Sequence, residues 1–198
     1  MSRAYGSGRR ALDLDAPTAA IEAHRGRTRH PLRWHAGADA GILILRVVLA
    51  CAFLGHGAQI MFGAFGGPGL NGFTQYLTVQ GFAMGSLLAG VTAIVELGCG
   101  TLVLVGMFTQ ASAAALLAIM INAVWLKLGT GFFIRPNGAG YELEFVLAGL
   151  TAAVVLAGAG RAALDRIFPL FTRPQVTGVP CLVLGVAVGV VVRILAHG

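Results

Sequence analysis

Ionisable and amide side chains stand inside otherwise apolar runs of this sequence. They are Arg46, His56, Gln59, Glu96, Asn122, Lys127, Glu142 and Glu144. A charge buried in hydrocarbon costs at least about 2.5 kcal/mol, so each of these groups needs a partner or a role. Buried carboxyl and imidazole groups can titrate near neutral pH. The set therefore predicts either a cavity that binds a polar head group, such as a quinone ring, or a path that relays protons.

The composition places these residues in a lipid bilayer. Hydrophobic residues make up 57% of the 198-residue chain and charged residues only 11%, and the mean hydropathy is +0.80. A soluble domain carries roughly a quarter charged residues. We therefore predict an all-α, polytopic membrane protein whose first partner is the lipid bilayer.

Five apolar runs are long enough to cross the hydrocarbon core, which needs about 20 residues in a helix. Those over about 41–62, 84–107, 111–128 and 141–160 predict a four-helix transmembrane bundle, and a run over 176–196 predicts a fifth, C-terminal transmembrane helix. Between the first two runs, apolar residues recur at helical spacing from Leu70 to Leu77, which predicts a short helix at the membrane interface. In the last run, Gly185 and Gly189 have the spacing of a helix-packing motif.

Three regions follow from this pattern. Residues 1–39 read as a disordered, basic cytoplasmic arm, 40–168 as the four-helix transmembrane domain, and 169–198 as a cytoplasmic linker with the fifth helix. The arm and the 161–175 segment fall on the same, arginine-rich side, so the N-terminus is predicted to be cytoplasmic in a bacterial plasma membrane. The arm lacks interleaved aromatic residues, which argues against a nucleic-acid partner.

Counting residues from the cytoplasmic end of each span sorts the polar side chains into two layers. In the middle layer Glu96 lies beside Asn122, and Arg46 is expected to reach inward to Glu96. The outer-leaflet layer contains His56, Gln59, Lys127, Glu142 and Glu144.

Only one of the two outer glutamates is expected to face the bundle interior. Glu142 and Glu144 are two residues apart, so their side chains point about 200° apart around a helix. We expect Glu142 to face the interior with Glu96 and His56, and Glu144 to pair with Lys127 or to reach the interface.

Structural roles for the same residues stay open. A Glu–Arg pair can fix helix register without any chemistry. Lys127 and Glu142 stand near the ends of their spans and can extend to the interface. His56 can bond a backbone carbonyl.

The cysteines and histidines predict no metal site. Cys51, Cys99 and Cys181 have no C-x-x-C spacing, and His56 has no His or Cys partner at helical spacing. No ligand set for flavin, haem or an iron–sulfur cluster is present, so we predict no intrinsic cofactor. Electrons for any redox reaction must then come through a partner protein or a quinone.

Five segments stand in order over about residues 41–168. They are LRVVLACAFLGHGAQIMFG (Leu45–Gly63), GGPG with the following glycine (Gly66–Gly72), VELGCGTLVLVGMFT (Val95–Thr109), NGAGYE (Asn137–Glu142) and GAGRAALD (Gly158–Asp165). Together they resemble the DoxX family of small bacterial membrane proteins. The chain departs from the family pattern at Ile60, where members carry Lys, and at Ala159 and Ala163.

The resemblance implies a four-helix membrane bundle that serves as subunit or anchor of a redox or thiol-stress oxidoreductase complex linked to quinone. It also implies soluble redox-enzyme partners on the cytoplasmic side, a site near Glu96 and His56, and a cytoplasmic cap at Arg161 and Asp165. Two other functions stay open: a non-catalytic scaffold or chaperone, and a small-solute or proton-coupled carrier. Whether the chain is itself an enzyme is left undecided by the resemblance.

Overall fold

The computed structural model describes residues 36–136, 138, 140–167 and 174–196, so the predicted basic arm up to residue 35 and the linker at 168–173 lie outside the described residues. Within these ranges the chain is helical and contains no extended sheet. The helices are α1 (Ala36–Phe62), α2 (Gly69–Val79), α3 (Gly85–Val105), α4 (Thr109–Lys127), α5 (Glu142–Ala157) and α6 (Pro174–Ala196). The predicted all-α class is confirmed. Helix α1 begins five residues before the expected start at Gly41.

In the part of the chain that the structure describes, four helical stretches are long and apolar enough to cross a membrane: Ala36–Phe62, Gly85–Val105, Thr109–Thr130 and Val176–Ala196. Helix α5 has 16 residues, about 24 Å, which is shorter than a hydrocarbon core of about 30 Å. It is nevertheless apolar and packs against α4, α6 and α1. The protein is therefore a multi-pass membrane protein, a helical bundle with an additional C-terminal helix.

The bundle is built around α1 and α4. Helix α1 packs on α3, α4 packs on α5 and α6, and α3 closes the bundle against α4. The core contains Leu49, Phe53, Leu116 and Val154, each at most 1% exposed. Large apolar side chains also cover the outer surface, as expected of helices that face lipid.

Glycines allow the closest helix contacts, because a side chain at these positions would collide with the neighbouring helix. A Cβ at Gly185 would lie 2.6 Å from the Ala114 carbonyl oxygen, and one at Gly57 would lie 2.8 Å from Cγ of Leu97. Gly185 thus packs α6 on α4, as the sequence predicts, and Gly57 packs α1 on α3.

The bundle has two distinct ends. The start of α1, the turn at 106–108 and residues 158–167 meet at one end, which we call the cap end. Helix α2, the 128–141 connection and the end of α6 meet at the other end, where the Ala83 amide donates to the Ala196 carbonyl at 3.1 Å. The predicted short helix is thus present as α2, which packs on α3 and α1.

Candidate functional site

A cavity of about 430 Å³, here called the polar cavity, lies inside the bundle between Glu96 and the end opposite the cap. Four ionisable residues from four different helices line it: His56, Glu96, Lys127 and Glu144. The apolar part of its wall includes Phe73, Met120 and Leu147. The cavity therefore brings together residues that are up to 88 positions apart in the sequence, from 56 to 144.

Glu96 lies near the middle of α3 and is 2% exposed. Among the described residues, no group makes a hydrogen bond with its buried Oε2 atom. A buried polar atom of this kind costs about 1–3 kcal/mol when it is left without a partner. Glu96 Oε2 thus requires a ligand, a proton or a water molecule as its partner.

The ion pair of the cavity joins α4 to α5. Lys127 Nζ donates to Glu144 Oε1 at 2.5 Å, and the second carboxylate oxygen, Oε2, is buried without a hydrogen-bond partner in the described part of the chain. His56 on α1 lines the same cavity as both charges. The cavity thus contains a hydrogen-bond donor (Lys127), an acceptor (Glu144) and the imidazole of His56.

The connection before α5 fixes the position of Glu144. The Phe132 ring packs edge-to-face on Phe133, Tyr141 and Phe145, with centroids 5.0–5.7 Å apart. The Phe132 carbonyl accepts hydrogen bonds from the amides of Tyr141 and Glu142. These contacts hold the first turn of α5 against the end of α4, and so place Glu144 beside Lys127.

The expectation for the two glutamates on α5 was wrong in part. Glu144 is 8% exposed and lines the polar cavity, whereas Glu142 is half-buried and lies outside its lining. The reason is the rotation of α5 about its axis, which the packing of Phe132 on Tyr141 and Phe145 fixes. The alternative pairing of Glu144 with Lys127 is present.

Two further residues of the predicted set lie elsewhere. The Asn122 amide donates to the carbonyls of Ala118 and Gly189, so it fastens α4 to α6 and does not join Glu96 in the polar cavity. Gln59 is half-buried against the loop after α1. A Cβ atom added to Gly67 in this loop would lie 2.5 Å from the Cβ atom of Gln59. Residues three apart on a helix share only part of a face, which explains why His56 enters the cavity without Gln59.

Sequence reasoning missed two hydroxyl-bearing residues of the cavity, Tyr76 on α2 and Thr92 on α3. Thr92 stands one helical turn before Glu96, and this i, i+4 spacing was a signal that could have found it. Tyr76 reaches the cavity because α2 folds back over the bundle, a tertiary contact that spacing alone does not reveal.

Arg46 does not reach Glu96, contrary to expectation. It is 1% exposed and points to the cap end, where its guanidinium donates to four backbone carbonyls at 2.8 Å: Val103, Leu104, Ala159 and Ala162. The carbonyls at the end of a helix lack intrahelical partners. Arg46 satisfies those at the end of α3 and of the segment after α5, so its role is structural.

The cap end also contains the two residues that the resemblance placed there. Asp165 is 4% exposed and accepts hydrogen bonds from the amides of Phe108 (2.6 Å) and Thr109 (3.0 Å) at the start of α4. Arg161 donates its amide to Asp39 Oδ1 at 2.9 Å. These bonds tie the segment after α5 to the beginnings of α4 and α1, so we call Asp39, Arg46, Arg161 and Asp165 the cap network.

Comparison with known proteins identifies the family of the chain. The model of the DoxX family matches residues 41–129. An uncharacterized membrane protein from Mycobacterium tuberculosis is 30% identical over 148 residues, which cover 69% of this chain and 86% of that protein. The chain belongs to the DoxX family. No solved structure is significantly similar to it.

The matched DoxX region spans α1 to α4 and therefore contributes three of the four ionisable residues of the polar cavity, His56, Glu96 and Lys127. The fourth, Glu144, comes from α5 beyond the matched region. The cavity of this DoxX protein is complete only when α5 packs against α4, which is what the Lys127–Glu144 pair secures.

Proposed function

We propose that this DoxX protein is the membrane subunit of a quinone-linked redox complex, and that its polar cavity binds the quinone ring. The observation that carries the proposal is the cavity itself, which combines an unpartnered buried carboxyl oxygen of Glu96 with an apolar wall. Its volume of about 430 Å³ falls within the range of roughly 300–1,000 Å³ typical of small-molecule sites.

The side chains of the cavity fit a quinone ring. Carbonyl oxygens accept hydrogen bonds, and the ammonium of Lys127 and the imidazole of His56 can donate them. The hydroxyl groups of a reduced ring would in turn find an acceptor in Oε2 of Glu96. Phe73 and Met120 in the wall suit the faces of a flat ring.

A bound quinone would supply the redox chemistry, and the residues of the chain would bind it and move protons. Lys127 and Glu144 orient the ring end that they contact. Glu96 and His56 hold or release a proton at the ring oxygens, as general acid–base groups do. The electrons that reduce the ring would come from a soluble redox-enzyme partner of the proposed complex.

The bacterial plasma membrane is the proposed location. The mycobacterial relative is described as a membrane protein, and the arginines of the cap end, Arg161 and Arg166, suit the cytoplasmic side.

Quinone titration of the purified protein tests the proposal. Binding of a short-chain benzoquinone is followed by quenching of the tryptophan fluorescence of the protein. Glu96→Gln should weaken binding of the corresponding benzoquinol by about tenfold, because a carboxylate oxygen accepts hydrogen bonds from the ring hydroxyls more strongly than an amide oxygen does. Glu142→Gln is the matched control, since it makes the same change outside the cavity. Equal binding by both variants and the native protein would overturn the proposal.

A scaffold function is the second candidate, and the cap network favours it. Arg46 is fully satisfied by backbone carbonyls and Asp165 by backbone amides, which is how charges act when they serve packing alone. If Glu96→Gln and His56→Ala preserve a redox-stress phenotype of the intact cell while Arg46→Ala abolishes it, the scaffold function is favoured over the quinone-binding function.

A further inference from the structure

A second hollow, here called the apolar cleft, lies on the surface of α4 between α3 and α6. Its volume is about 230 Å³. Apart from Thr92 and Asn122, its walls are apolar side chains, among them Leu88, Val91 and Val188. The amide nitrogen of Asn122 bonds two carbonyls, while its buried Oδ1 atom has no hydrogen-bond partner among the described residues.

The apolar cleft and the polar cavity share a wall. Phe73, Thr92, Ile119, Ala123 and Leu126 line both of them. A molecule that fills the two together would therefore need a polar ring at one end and a flexible apolar chain at the other. These shared residues make the two volumes direct neighbours.

The cleft also reaches the outer surface of the bundle. Val91 on α3 and Val188 on α6 line it and are 47% and 45% exposed. Helices α3 and α6 each pack on α4, and the cleft occupies the space between them. In the membrane this surface faces lipid, so a chain lying in the cleft can arrive from the bilayer without crossing water.

We infer that the apolar cleft holds the isoprenoid chain of the quinone whose ring occupies the polar cavity. This inference rests on the proposed function and narrows its substrate class to long-chain, membrane-soluble quinones. The chain leaves one apolar surrounding for another, so burial from water contributes little to its binding. The cleft instead directs the ring into the cavity and selects ligands by the shape of their chain.

Narrowing the cleft without touching the cavity tests the inference. Val188→Trp places an indole in the cleft. Val186→Trp is the matched control on the same helix, because Val186 is 42% exposed and lies outside the cleft lining. Each variant is titrated with two benzoquinones that carry the same ring, one with a four-isoprene chain and one with no chain. All variants are measured in the same detergent, so the fraction of quinone that partitions into the micelles is the same for each and does not affect the comparison.

We expect Val188→Trp to weaken binding of the long-chain quinone by about tenfold and to change binding of the chain-less quinone less than twofold, with Val186→Trp close to native for both. If Val188→Trp does not fold, Val91→Trp on α3 takes its place and is expected to have the same effect. Leu87→Trp is then the control. Unchanged long-chain binding in these cleft variants overturns the inference while the proposed function stands. Failure of the native protein to bind either quinone overturns both.

A measurement on the native protein needs no variant. A quinone with a photoreactive group on its second isoprene unit should crosslink to α3 or α6 at residues of the cleft, as mapped by mass spectrometry. Crosslinks confined to α1 or α5 would overturn the inference even when the ring binds.

Discussion

Lys127 at the end of α4 and Glu144 in the first turn of α5 form an ion pair, with Nζ 2.5 Å from Oε1. The lysine side chain is 36% exposed and the glutamate side chain 11%. The pair stands where α4 and α5 meet, and it forms one wall of the polar cavity. The ion pair therefore has two roles. It joins α4 to α5, and it leaves Glu144 Oε2 as a hydrogen-bond acceptor in the cavity.

A double-mutant cycle on this pair should show favourable coupling. Lys127→Met leaves a nearly buried carboxylate without its cation, so we expect a loss of about 1–3 kcal/mol in the free energy of unfolding. The double variant Lys127→Met/Glu144→Gln should recover part of that loss. Unfolding in mixed micelles of increasing SDS content measures each value, and strictly additive effects would contradict the interaction.

We expect that replacing Arg46 even with another basic residue destabilises the protein. The guanidinium donates in several directions from one plane, whereas an ammonium concentrates its donors at a single point. Arg46→Lys is therefore expected to lower the free energy of unfolding by about 2–4 kcal/mol, because buried carbonyls at the cap end lose their donors. Thermal unfolding in detergent measures the change.

Arg161→Lys is the control for that substitution. The Arg161 side chain is 68% exposed, and the hydrogen bond to Asp39 Oδ1 comes from its main-chain amide, so the change should stay within about 0.5 kcal/mol. Equal loss at the two positions would show that the carbonyl contacts of Arg46 do not matter.

The helices were predictable from the sequence because long apolar runs, interrupted by Gly, Pro and Asn, mark both spans and breaks. Depth along each span also indicated which polar residues lie at similar heights. Lys127 with Glu144 emerged from that argument. Glu96 and His56 did not, because depth assigned them to different layers although both line the polar cavity.

What depth could not supply was the rotation of each helix about its axis. Glu142 and Glu144 exchange faces if α5 turns by half a revolution, and the contact that fixes α5 is the packing of the Phe132 ring. Arg46 was misjudged for a related reason. Its carbonyl partners belong to helix ends that meet only in the folded bundle. Because every residue has a backbone carbonyl, the sequence does not show which of them will accept a hydrogen bond from Arg46.

Asp165 is expected to act as the N-terminal cap of α4 although it lies 56 residues away in the sequence. Both carboxylate oxygens are used, since Oδ1 accepts from the Phe108 amide and Oδ2 from the Thr109 amide. Asp165→Asn keeps one acceptor oxygen and should cost about 1 kcal/mol, and Asp165→Ala should cost about 2 kcal/mol. Thermal unfolding gives the order, and an Asn variant as unstable as the Ala variant would point to the charge as the main contribution.

Two glycine-to-alanine substitutions should differ in their effect on stability. In Gly185→Ala the new methyl group would lie 2.6 Å from the Ala114 carbonyl oxygen, so α6 must move away from α4. In Gly98→Ala on α3 the methyl group meets no atom within 4 Å, and alanine is the better helix former by about 1 kcal/mol. We expect Gly185→Ala to lower the unfolding temperature and to increase amide hydrogen exchange in α6, and Gly98→Ala to leave both unchanged or improved.

The orientation of the bundle gives the last prediction, that the cap end is cytoplasmic. Five crossings place the two termini on opposite sides of the membrane, and the arginines at the cap end favour the cytoplasm. In a background with Cys51, Cys99 and Cys181 replaced by Ala, a single cysteine at Ser7 should resist a membrane-impermeant maleimide in intact cells. A single cysteine at Gly198 should react. Labelling of both positions would mean that the number of crossings is even, so that α5 does not cross the membrane. Labelling of Ser7 alone would mean that the bundle has the opposite orientation.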